Sequence, residues 1–102
     1  MSNKEDKARL SENIAKVREL FVLEWDPIGV ADMEENPDEY DTYVLAAYDM
    51  LMHQDATAQQ IAAYLFNIAS EYMGLGNPPG LRGNCERTAD LLLLMKPGFM
   101  SA

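Results

Sequence analysis

The chain has 102 residues, 48% of them apolar, and a formal net charge of −9. That length is one domain, able to bury roughly two thirds of its unfolded surface in a single core without metal or disulfide staples. Such an excess of carboxylates argues against binding nucleic acid or an anionic membrane, both of which call for clustered cations.

Four helices are predicted in chain order. The first spans about 4–24, with Leu10, Ile14, Val17 and Phe21 on one stripe, reinforced by Leu20 and Trp25. Ser2 and Glu5 have capping-box spacing at its start. Pro27 ends it, because the residue before a proline is pushed out of the helical region. Residues 26–36 then read as a loop, with Gly29 at its turn. Asn36 as N-cap and Pro37 at the first helical position predict a second helix, from there to about Met52. Its buried face is Tyr40, Val44, Ala47 and Leu51. Thr57 to Gln60 is a further capping box, opening a third helix with Ile61, Leu65, Ile68 and Tyr72 inward and Gly74 as C-cap. Gly74 to Gly83 reads as loop. Asn84 caps a fourth helix, about 85–96, packed through Ala89, Leu92 and Leu93 and stopped by Pro97-Gly98. The predicted fold is therefore all-α: a single compact bundle of about four helices with an acidic loop between the first two. A frayed N-terminus at about 1–8 and a flexible tail at 97–102 complete it.

Charge is segregated along this scaffold. From Glu19 to Leu81 there are twelve carboxylates and no Lys or Arg; all eight basic residues lie outside that stretch. Asp32, Glu34, Glu35, Asp38, Glu39 and Asp41 concentrate acid in one loop, which suits a hard cation in composition. Their spacing breaks the EF-hand pattern at once, so no metal or other cofactor is expected. A structural role is expected for Asp26, Asp38 and Asp41, with Arg82 or Arg87 clamping the loop through a bidentate pair. Trp25, Tyr40, Tyr43 and Tyr48 stand near these acids. Exposed tyrosines beside carboxylates make a partner surface; buried ones are core.

Catalytic chemistry has little to stand on. Cys85 is the single cysteine, which excludes an intramolecular disulfide and fits a reducing cytoplasm. A dyad of Cys85 with His53, the single histidine, has no local support. The glycines match no phosphate loop. No apolar stretch is long enough to span a bilayer, and no secretory leader is visible at the N-terminus.

Glu24-Trp25-Asp26-Pro27-Ile28-Gly29-Val30, joined to Asp38-Glu39-Tyr40-Asp41-x-Tyr43, resembles the shared stretch of a family of small uncharacterised bacterial helical proteins, a domain of unknown function. Ile61 to Leu65 and Met73-Gly74-Leu75 extend the likeness over about residues 14–95. The resemblance implies a compact helical fold and a bacterial cytoplasmic protein. Some similar small acidic proteins act as immunity or antitoxin-type partners.

The functional expectation is a non-enzymatic protein–protein interaction module. Glu34, Glu35, Asp38, Tyr43 and Tyr48 would meet a basic protein partner, while Trp25, Asp26, Pro27, Gly29, Tyr40, Asp41, Arg82 and Arg87 form the structural motif. The alternatives are a small-molecule or metal-binding domain using the loop after Trp25, and a homodimer through the second or fourth helix.

Overall fold

The computed structural model describes residues 3–26 and 40–100, with side chains from residue 8 onward. Every regular element among them is helical, and the fold is an all-α bundle. Helix α1 covers Asn3–Leu20 and runs on into a π turn, Phe21–Trp25; α2 is Asp41–His53. Helix α3 is Ala58–Asn67, also prolonged by a π turn, Ile68–Tyr72; α4 is Leu81–Met100.

The two π turns set which faces are buried. On α1 the inward residues are Asn13, Val17, Phe21 and Trp25, each four apart. A strict spacing of four drifts around an α-helix of 3.6 residues per turn. The wider π turn, closed by the Asp26 N–H donating to the Phe21 carbonyl at 2.8 Å, takes up that drift and keeps Trp25 over the core. Leu10, expected on this stripe, is 48% exposed, and the next inward position is the buried Asn13. Its Nδ2 donates to the Tyr48 hydroxyl at 3.0 Å, so the first polar group met at the edge of the core is satisfied from α2.

The second π turn has the opposite consequence. Ile61, Leu65 and Ile68 are buried as predicted, but Tyr72 is 77% exposed. The Met73 N–H reaches back five residues to the Ile68 carbonyl, and this extra residue rotates Tyr72 off the inner stripe. The chain then turns at Gly74, whose φ of +70° is the left-handed conformation that glycine adopts without strain. Thr57 caps α3 as predicted: its hydroxyl accepts from the Gln60 N–H, and the Gln60 side chain accepts from the Thr57 N–H. Ala56 and Ile61, which flank that cap, both join the core.

Helix α2 begins at Asp41, later than predicted. Tyr40 is its non-helical N-cap, and the Tyr40 carbonyl accepts the first helical bond, from the Val44 N–H at 2.8 Å. The predicted cap at Asn36-Pro37 lies outside the described residues.

Helix α4 departs from prediction at both ends. It starts at Leu81 because Leu81 is buried, with Gly80 at φ +85° turning the chain into it. The Asn84 backbone is already bonded to Gly80 (2.9 Å), so Asn84 lies within the first turns and is not the cap. Pro97 does not stop the helix. A proline here removes one backbone bond, but Phe99, in the next turn, is buried and packs its ring 5.6 Å from that of Tyr48. That burial holds residues 97–100 in helix where a tail was expected.

Candidate functional site

The residues around Glu24 to Asp26 are arranged about Trp25. Trp25 is 1% exposed and stands among three rings. Phe21 meets it at 5.5 Å and 67°, Tyr43 at 6.2 Å and 84°, and Tyr40 lies 5.1 Å away, tilted. Edge-on pairs of this kind add about 0.5–1.5 kcal/mol each beyond the area they bury. Tyr40, equally buried, donates its hydroxyl to Asp26 Oδ1 at 2.9 Å. Asp26 itself has φ 28°, ψ 59°. It leaves the right-handed helical region as predicted, but for the left-handed one, which aspartate tolerates better than most residues. The hydrogen bond between their side chains ties Asp26, at the end of the first described segment, to Tyr40, at the start of the next.

The predicted clamp exists with a different arginine. Arg18 donates from Nε and Nη2 to the two carboxylate oxygens of Asp41, at 2.6 and 3.1 Å. Arg18 closes α1 and Asp41 opens α2, so the fork joins the helices that flank the acidic segment. Both side chains are about a third exposed (37% and 34%), so the pair contributes well under the strength of a buried one, about 0.2–1 kcal/mol. Arg87 instead donates to Glu24 at 2.8 Å and to the Asn84 side chain, tying α4 to the end of α1. Arg82 forms no ion pair among the described residues; its guanidinium lies 4.4 Å over the Phe66 ring.

Of the predicted partner residues, Glu34, Glu35 and Asp38 lie outside the described residues, as do Pro27 and Gly29 of the motif. Tyr43 is half-buried, leaning on Trp25. Tyr48 is buried, bonded to Asn13 and packed on Phe99, and is removed from the surface by its place on the inner face of α2.

The structure supplies two tyrosines that the sequence reading did not single out. Tyr64, half-buried on α3, has its phenol pushed above the usual range, first by burial and then by the neighbouring phenols of Tyr43 and Tyr72. The phenols of Tyr43 on α2 and Tyr72 on the π turn are near enough to act on Tyr64 of α3, a tyrosine edge of which Tyr72 is the exposed member. Tyr64 stands inside the Ile61 to Leu65 stretch, which was the available hint. Tyr72 was hidden by its 3.6-residue register with Ile68.

A second open feature lies between α3 and α4, which form the most extensive helix pair of the bundle. It is a groove of about 710 Å³ with Ala62, Phe66 and Cys85 along it. Burial pushes the Cys85 thiol up. It outweighs the Trp25 indole N–H and the Arg82 guanidinium, which favour the thiolate, while Glu86 adds to the rise. A buried thiol held neutral is a poor nucleophile. His53 is exposed at the end of α2 and is not among the groups that act on Cys85. Among the described residues the Trp25 indole N–H has no nitrogen or oxygen acceptor, and the soft Cys85 sulfur is its neighbour.

Among the described residues no cluster of three or more His, Cys, Asp or Glu is placed to hold a metal. The loop after Trp25, to which a metal or small-molecule site was assigned, lies outside them. No described helix is long and apolar enough to cross a membrane. No protein-family model, curated protein or solved structure matches the chain.

Proposed function

We propose that this chain is a non-catalytic, cytoplasmic interaction module that binds a basic protein partner through the edge formed by Tyr43, Tyr64 and Tyr72. The carboxylates between Asp26 and Tyr40 steer the encounter, and the tyrosines anchor it. The observation that carries this reading is Tyr72, a large aromatic 77% exposed beside two half-buried tyrosines. Tyrosine offers broad contact area with few rotors to immobilise, which is why it dominates binding hot spots. Tyr43 is braced from behind by Trp25, so part of the edge is already ordered before binding. Net charge of −9 sets the sign of the partner. An immunity or antitoxin-type role, as the resemblance implies, is of this kind.

The test is capture of a stoichiometric partner by the tagged full chain, followed by titration of that purified partner. Tyr64→Ala with Tyr72→Ala should weaken binding by about 30-fold, the scale of a hot-spot loss of about 2 kcal/mol. Reversing Glu34, Glu35 and Asp38 to Lys should slow association and reduce its salt dependence. Unchanged affinity in both variants would remove the surface assignment.

A further inference from the structure

The tyrosine edge uses one side of α3. Ala62 and Phe66 each lie two positions from Tyr64, about half a helical turn away, so the groove they line with α4 is a separate surface. We propose that this groove docks a short basic amphipathic helix from a partner protein, a second site beyond the tyrosine edge.

Its shape suits such an occupant. Ala58 to Phe66 on one wall and Arg82 to Asp90 on the other are nine residues each, about 12 Å of helix. This matches roughly two turns of an incoming helix. Ala58 and Ala62 keep the α3 wall low, so another backbone can approach closely. Gln59, Asn67, Arg82, Glu86 and Asp90 are exposed along the rims, so the groove is an open trough and not an enclosed ligand cavity.

Charge selects the sign. Glu86 and Asp90 stand four residues apart on α4, and, like Glu12, Glu19 and Glu71, neither has an ion pair among the described residues. Like charges at this spacing repel and destabilise a helix. Two cations at the same spacing on a partner helix relieve that repulsion. Arg82, the cation of the same stripe, is drawn over Phe66 at the far end. A second copy of a chain carrying −9 is a poor occupant for an acidic rim.

The probe is a synthetic 16-residue Leu/Lys peptide with lysines at four-residue spacing, titrated into the ¹⁵N-labelled full chain. Shifts should concentrate in Ala58 to Asn67 and Arg82 to Asp90. Glu86→Gln with Asp90→Asn should weaken the peptide at least tenfold. Glu12→Gln with Glu19→Gln, the same change of net charge on α1, should stay within twofold. Circular dichroism melts confirm that both variants are folded. An equal loss in the two variants would mean unspecific attraction and overturn the proposal. So would shifts centred on Tyr43, Tyr64 and Tyr72, or a concentration-dependent dimer that the peptide does not dissociate. Tyr64→Ala with Tyr72→Ala leaves the peptide's affinity unchanged, which separates failure of this site from failure of the tyrosine edge.

Discussion

The aromatic hub around Trp25 and the edge formed by Tyr64 and Tyr72 are built from the same kinds of side chain and do opposite things with them. At the hub, rings meet rings, Tyr40 donates to Asp26, and Arg18 forks onto Asp41. Its groups are engaged within the chain. At the edge, Tyr72 reaches solvent, and Tyr64 meets it only in part. Within the most conspicuous motif of the sequence, Trp25, Asp26, Tyr40, Asp41 and Tyr43 are therefore engaged inside the chain, and the surface proposed for a partner lies on residues that look ordinary in the sequence.

This contrast can be broken first at Trp25. Replacing it with Ala removes the ring on which Phe21, Tyr40 and Tyr43 rest and should cost about 3–5 kcal/mol in a urea titration. That is a large share of the roughly 5–15 kcal/mol by which a domain of this size is stable. A loss below about 1 kcal/mol would show that the hub is not the centre of the fold. Asn13→Ala comes next. It leaves the buried Tyr48 hydroxyl without its donor and should cost about 1–3 kcal/mol, whereas the double change with Tyr48→Phe should recover part of that loss. Arg18→Ala should cost about 0.2–1 kcal/mol, since the fork to Asp41 is partly in water. Tyr72→Ala should fall within about 0.5 kcal/mol of the parent, as an exposed side chain should.

The smallest effect is in alkali. Burial raises the Cys85 pKa, so the folded state keeps its proton where the unfolded chain has lost it. The contribution of the neutral thiol is complete at neutral pH and declines as pH rises beyond the ordinary thiol value of about 8.5. Tyr64, raised in the same sense, adds a further loss higher in the alkaline range. The difference in denaturant midpoint between the parent and Cys85→Ala, set at neutral pH by the lost packing of a buried side chain, should stay constant up to that point and change only above it. A difference that already changes with pH around 7 would place the thiolate, not the thiol, in the fold.

Much of the bundle was legible in the sequence. The capping box at Thr57, the turn at Gly74 and the Val17, Phe21, Trp25 face all follow from local chemistry and spacing. The missed features depend on contacts distant in sequence. A π turn changes the helical register without any residue that announces it, so Tyr72 was placed inside when it is outside. Asp41 had several basic residues to choose from, and only the packing of α1 against α2 selects Arg18. Helix α4 passes Pro97 because Phe99 finds Tyr48, a partner about fifty positions earlier. Tyr48 was a surface candidate for the same reason: nothing in its own neighbourhood reveals Asn13 or Phe99.

The central claim, that the hub holds the fold and the edge meets the partner, is tested most directly by a crossed pair of variants. Trp25→Phe and Tyr72→Ala would each be melted and each titrated with the captured partner. The account predicts that Trp25→Phe loses several degrees of melting temperature and keeps its partner, while Tyr72→Ala melts with the parent and binds at least tenfold more weakly. The reverse pattern, with binding lost at Trp25 in a protein of undiminished stability and retained at Tyr72, would contradict it.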